Sequence, residues 1–185
     1  MALAKCGITD IGENRPQELA RRGDMLRQNG FAPRLHEIGN LQKNKVRTII
    51  DTVSLIHSLD SESLAKEINR RAEAAGRKIP VLIEINSARE EQKGGVMPED
   101  AEPLIRSLEK YEYIIPSGLM TMGPISEGEE IRPYFRLTKK LFDELSAKGL
   151  LGDAPVLSMG MSDSYMVAIE EGADIVRVGR RLFIK

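Results

Sequence analysis

The chain has 185 residues, with 27 Lys and Arg against 28 Asp and Glu, two His, one Cys and no Trp. At ~150 residues per domain this is one domain, large enough to bury a core. A net charge of −1 and a pI near 6.2 argue against broad electrostatic binding of nucleic acid or an anionic membrane. The lone Cys6 cannot form an internal disulfide or build a cysteine zinc site, and no apolar run approaches the ~20 residues of a membrane span or forms a signal-peptide segment. The expectation is a single cytoplasmic α/β domain over residues 1–185.

Short apolar runs alternate with helical patterns along the chain. The opening Met-Ala-Leu-Ala-Lys-Cys-Gly reads as the last turns of a helix entering a strand over Ile8 to Gly12. Pro16 to Asn29 predicts a helix, with Pro in its first turn and Gly30 as its stop. A strand at Arg34 to Gly39 precedes a weaker helix over Asn40 to Asp51, and a strand at Val53 to Ser58 follows. Ser61 to Ala75 is a capped helix with Leu64, Ala65, Ile68 and Ala72 on one face. Then come a strand at Val81 to Asn86, a helix at Pro98 to Lys110, a strand at Ile114 to Met120, and a helix at Ile131 to Lys148. The chain closes with a strand at Val156 to Met159, a helix at Asp163 to Glu171, and a strand at Ile175 to Gly179. Strand–helix–strand connections impose parallel pairing with right-handed crossovers. No Gly-x-Gly-x-x-Gly follows the first strand, so a (β/α) barrel of TIM type fits better than a dinucleotide-binding open sheet. Seven strands are recognisable, one fewer than the usual eight; the expectation is that the first strand and its preceding helix are missing.

In such barrels chemistry sits at the carboxyl ends of the strands, with phosphate often held after the last two. Ser158-Met159-Gly160-Met161-Ser162-Asp163 is read as following the penultimate strand and running straight into a helix, and Gly179-Arg180-Arg181 follows the last strand. Glycine permits close backbone approach, serine hydroxyls donate, and free N–H groups with a helix dipole attract an anion. Either segment alone is more simply an N-cap or a turn; side by side they make a phosphate cup. Glu13, Asn14, His36, His57, Asp60 and Asn86 lie at other strand ends, and Gly118 to Pro124 reads either as an apolar loop walling a flat ring or, more commonly for such a string, as a core-edge turn filled by Met. His36 and His57 read as hydrogen-bonded wall residues, and without acidic groups at ligand spacing they are a weak metal signal, so no metal is expected. The Arg21-Arg22 and Lys139-Lys140 pairs read as solvated helix faces.

Several strings resemble the YggS/PROSC family of pyridoxal-phosphate homeostasis proteins, which share the alanine-racemase-type barrel. They are Gly12-Glu13-Asn14-Arg15-Pro16-Gln17-Glu18, the run from His36 to Lys45, Glu90-Glu91-Gln92-Lys93-Gly94-Gly95, Gly118 to Met122, Arg132-Pro133-Tyr134-Phe135, Leu157 to Asp163, and Arg177-Val178-Gly179. They are collinear and span nearly the whole chain. The resemblance implies a barrel holding pyridoxal 5′-phosphate (PLP), with Ser162 and the Gly179-Arg180 backbone on the phosphate and Ser158 and Gly160 shaping that turn. It places Arg177 near the pyridine nitrogen, where a cation disfavours ring protonation and weakens the cofactor's electron-sink chemistry. Asn14, His36 and Met120 would line the ring pocket. Arg180 stands where relatives commonly alternate with a small hydroxyl residue, keeping anion affinity with another geometry.

In the family the Schiff-base lysine ends a first strand, in a Val-Ser-Lys-like string upstream of the Gly-Glu-Asn segment. This sequence begins after it, and Lys5 lies one helix later. The resemblance therefore implies a non-catalytic PLP-binding protein with covalent attachment lost, PLP held noncovalently or not at all, and phosphate or sulfate able to substitute. Lys93 is the least unsuitable substitute lysine, though a Gln-Lys-Gly lysine is usually solvated. Open edges at the Ile8 and Ile175 strands imply a smaller closed barrel, an incomplete one, or a homodimer. Two other readings stand beside this one: a PLP-dependent racemase-like enzyme, for which Tyr165 is the nearby phenol, and an engineered or truncated barrel binding only anions or a partner.

Overall fold

The computed structural model describes residues 2–90, 92–124 and 128–182; Glu91, quoted above with its neighbours, lies outside them. After a short helix α1 (Ala2–Lys5), seven strands form one parallel sheet: β1 (Asp10–Glu13), β2 (Arg34–Glu37), β3 (Leu55–Leu59), β4 (Ile79–Glu84), β5 (Ile114–Met120), β6 (Val156–Met161) and β7 (Ile175–Arg177). They pair in strict chain order. Crossovers of one hand after every strand give that order, right-handed being the rule for such connections, and with its twist the sheet curls into a nearly closed barrel of TIM type, β1 and β7 being its two ends.

The crossovers carry α2 (Pro16–Gln28), α3 (Val46–Ile49), α4 (Glu62–Ala74), α5 (Ala101–Ser107), α6 (Arg132–Ala147) and α7 (Tyr165–Glu170). The α4 segment is typical of why they form. The Ser61 hydroxyl accepts from the Leu64 N–H at 3.4 Å, and Leu64, Ala65, Ile68 and Ala72 are all buried against the sheet. In α6, Phe135, Thr138, Phe142 and Leu145 form the buried stripe. These side chains and the outward strand residues Leu35, Ile56, Val81, Ile83, Leu119 and Leu157 make one continuous layer between sheet and helices. Inside the barrel a second, smaller cluster holds Leu55, Leu82 and Met120, with Val156 and Ile175 against it. Strand alternation separates the two, because successive side chains point to opposite faces.

Several boundaries differ from the sequence expectation. β1 begins at Asp10 rather than Ile8, which stays outside the sheet at 48% exposure. β3 and β4 run Leu55–Leu59 and Ile79–Glu84, β6 continues to Met161, and β7 stops at Arg177. The Asn40 to Asp51 segment is only a 3₁₀ turn (Lys43–Lys45) running into α3, and α5 is flanked by 3₁₀ turns. The helix expected from Asp163 starts at Tyr165, because Ser162 to Ser164 form a turn in which the Ser164 hydroxyl accepts from the Met161 N–H at 3.1 Å. Six residues make too short a helix to supply the expected dipole, so anion attraction there falls to the turn itself.

Candidate functional site

A cavity of about 540 Å³ opens at the carboxyl ends of the strands and runs down between β1 and β7. Asn14, His36, Ser162, Arg177, Gly179 and Arg180, six of the nine residues expected at the site, line it. The turns after β6 and β7 meet at its rim: the Gly179 and Arg181 N–H groups both donate to the Ser162 hydroxyl at 3.3 Å. The Arg180 guanidinium pairs with Asp163 beside them. α7 is held over this corner by Arg132, whose guanidinium donates to Glu129, Glu170 and Glu171 at 2.6 Å each.

The other three expected residues lie behind the wall. Met120 is fully buried with Leu55 and Leu82 in the barrel interior; Met122, beyond the end of β5, lines the cavity in its place. Gly160 sits at φ 88° where α7 crosses β6, and a Cβ there would come within 2.4 Å of the Ala168 side chain. It packs strand against helix and so sets the turn from below. Ser158 is also fully buried, and its hydroxyl accepts from Arg177 Nη1 at 2.6 Å. Arg177 Nη2 donates to the Thr121 carbonyl at 2.9 Å. These bonds use two of the five N–H donors of a guanidinium that forms part of the cavity wall.

Arg177 is a half-buried cation. Burial pushes its guanidinium down to about 10, while Glu84 opposes that shift. Glu84 is pushed up to about 7 by burial and by the like charge of Asp60, with Arg177 pulling it down. Both histidines are neutral at pH 7. Burial, with the charges of His36 and Arg177, takes His57 down to about 2. His36 is lowered chiefly by burial, which outweighs the nearby Asp10. Lys93 is off the cavity: its ammonium donates to Glu90 at 2.7 Å and to the Gly123 carbonyl at 3.2 Å. Tyr165 is likewise off the wall, with the Arg181 guanidinium 5.9 Å from its ring centre.

Two features escaped sequence reasoning. His36 and His57 form a hydrogen-bonded pair at 3.0 Å rather than two separate wall residues. Glu37 is fully buried, and among the described residues no hydrogen bond of ordinary geometry reaches either carboxyl oxygen. The first was foreshadowed by both histidines lying at strand carboxyl ends; the second carries no signal in the strand pattern, since a buried outward position normally takes an apolar residue.

A one-sheet barrel whose last two turns converge on a polar, partly apolar-walled cavity defines a class, and residues 1–184 match the family model described as alanine racemase, N-terminal domain. The chain is 45% identical over 179 residues to a pyridoxal phosphate homeostasis protein from Aquifex aeolicus, an alignment covering 96% of this chain and 77% of that one. It superposes on the crystal structure of an unknown protein from Bifidobacterium adolescentis with a TM-score of 0.90 at 37% identity, covering 99% of this chain and 78% of the other. On PipY of Synechococcus elongatus with PLP bound the TM-score is 0.82 at 30% identity, covering 94% and 80%. The chain belongs to the family of pyridoxal phosphate homeostasis proteins.

Proposed function

We propose that the chain is a cytoplasmic, non-catalytic PLP-binding protein that holds the cofactor noncovalently. The observation that carries this is the meeting of Ser162 and Gly179 at 3.3 Å on the rim of a cavity with a half-buried arginine in its wall. The donor set fits the group. The Gly179 and Arg181 N–H groups now satisfied by Ser162 would turn to phosphate oxygens, with the Ser162 hydroxyl donating and Arg180 exchanging Asp163 for the anion. Ile11, Ile38, Met122 and Val178 supply apolar wall for a flat ring, Asn14 and His36 supply polar edges, and Arg177 offers N–H donors to an acceptor atom. At about 540 Å³ the space is in the range of small-molecule sites. Bound PLP supplies an aldehyde and an electron-withdrawing ring. Among the described residues no lysine lines the cavity, and Tyr165 does not face it as a second base. The reading therefore favours storage and delivery over turnover.

The test is a PLP titration followed by absorbance and thermal unfolding. At one hundred times the dissociation constant, binding to the folded state contributes about 2.7 kcal/mol, which for a chain of this size raises Tm by roughly 5–10 °C. Inorganic phosphate is expected to compete, and borohydride is expected to fix no ~420 nm absorbance to the chain. No Tm rise at saturating PLP overturns the reading; a borohydride-fixed adduct overturns its noncovalent part. We also assign the open β1 and β7 edges to pairing with a second copy. Sedimentation equilibrium should then give twice the chain mass, and the mass of one chain refutes that assignment.

A further inference from the structure

Five side chains from five different strands form an unbroken line across the barrel interior. Arg177 on β7 donates to the Ser158 hydroxyl on β6 at 2.6 Å. Ser158 Oγ is 3.0 Å from His57 Nδ1 on β3. His57 Nε2 is 3.0 Å from His36 Nδ1 on β2, and His36 Nε2 is 3.1 Å from Asp10 Oδ1 on β1. The other Asp10 oxygen accepts from Arg34 at 2.6 Å and from Thr9 at 2.8 Å. Ser158 and His57 are fully buried, His36 nearly so, and Asp10 is at the solvent end.

The two ends of this line are chemically unequal. A guanidinium only donates and a carboxylate only accepts. Burial alone would raise the Asp10 carboxyl, but hydrogen bonds from Arg34 and Thr9 prevail and hold it below its usual value. It is therefore ionised at neutral pH. With Arg177 donating to Ser158, the serine proton is free for His57 Nδ1. His57 Nε2–H then donates to His36 Nδ1, and His36 Nε2–H to Asp10. The reverse order would set the bare His36 nitrogen against the Asp10 carboxylate, lone pair to lone pair, and leave the buried serine proton without an acceptor. Either fault has the cost of an unsatisfied buried polar group.

We infer that Asp10, His36, His57 and Ser158 form a hydrogen-bond chain of a single fixed direction, and that they are positioning residues that hold the Arg177 guanidinium at the cavity wall. Each end imposes the same order independently. Cutting either end alone leaves the direction intact; cutting both releases it. The groups facing the two rings are Asp10, Arg34 and Arg177. The part of the inference that concerns ligand binding rests on the PLP reading above; the direction of the chain does not.

The sequence holds only two histidines, so long-range ¹H–¹⁵N correlation of the ¹⁵N-labelled protein reports both rings without ambiguity. At pH 7 both are expected neutral and in the Nε2–H form. Asp10→Ala and Ser158→Ala should each preserve that form, and the double variant should show a mixture of tautomers. A charged ring, an Nδ1–H ring in the unaltered protein, a tautomer change in either single variant, or a double variant that stays locked overturns the inference. The unaltered protein decides the point even if a variant fails to fold. For the positioning role, Ser158→Ala should weaken PLP binding about tenfold, the worth of one hydrogen bond to a charged group. Unchanged affinity refutes that role. If the unaltered protein binds no PLP, the proposed function fails while the tautomer result still stands.

Discussion

Replacing Gly118 with alanine is expected to lower stability by about 4 kcal/mol, enough to shift Tm by roughly 10 °C or to prevent folding. Gly118 is paired with Val156 between β5 and β6. Its φ is 137°, and an added Cβ would lie 1.9 Å from the Val156 carbonyl oxygen and 2.9 Å from its carbon. Two costs combine: a backbone conformation that L-residues rarely adopt, and a collision with backbone that cannot rotate away. The strands would have to part where β6 carries Ser158 and where β5 begins to turn toward Met122. Gly30→Ala separates the two costs, because Gly30 has φ 80° but open space around its missing side chain. That variant is expected to lose only about 1 kcal/mol. Thermal unfolding of both checks the claim, and equal losses would show that the β5–β6 contact matters less than backbone strain.

The second large effect concerns pH. Glu37 is fully buried on β2 and no hydrogen bond of ordinary geometry reaches either oxygen, although the Gly39 N–H is near enough to favour the charged form. Burial pushes the carboxyl up to about 8, and Glu13 adds to the shift. In the unfolded chain its value is near 4.5. The folded state therefore holds the proton more tightly. Stability is unaffected below pH ~4.5, declines as pH rises from there through about 8, and is lower above that by roughly 3–5 kcal/mol. Glu84, pushed up to about 7, adds a smaller decline over the lower part of the same window. Glu37→Gln fixes a neutral side chain of nearly the same shape. The variant should match the unaltered protein near pH 5 and exceed it by about 3 kcal/mol at pH 9, read as the difference in urea unfolding free energy. The neutral histidines act below their unfolded value of 6.5, and they do so equally in both proteins. Parallel pH profiles for the two proteins would refute the assignment.

The barrel and the meeting of its last two turns were legible because they depend on local features. Apolar runs ended by Gly, Asn or Ser mark strands, helices between them favour parallel pairing, and the lack of Gly-x-Gly-x-x-Gly after the first strand removes the main support for an open-sheet order. β5 ran over the expected Ile114–Met120 because Pro116 and Gly118 do not interrupt an otherwise apolar, β-favouring run. The methionines show where that legibility stops. Met120 and Met122 are two apart and look equivalent in the sequence, but β5 ends at Met120. One therefore fills the barrel interior, while the other passes the rim and faces the cavity. The shortened α7 was hidden for a related reason: Ser164 spends its hydroxyl on the Met161 N–H, a choice between two turn geometries that the residue types allow equally.

What the sequence determined by itself was the order of elements, the parallel sheet and the neighbourhood of Ser162 and Gly179, because hydrophobic period, turn residues and crossover handedness act over a few residues or along chain order. Only the tertiary structure decided which groups are forced into one low-dielectric interior. His57 and Ser158 are 101 residues apart and touch only because the sheet curls. The direction of their hydrogen bonds and the lowered value of Arg177 follow from that closure, and the burial of Glu37 from the covering of the sheet's outer face, since the free energy of a polar or ionised group is set by the partners and solvent that surround it.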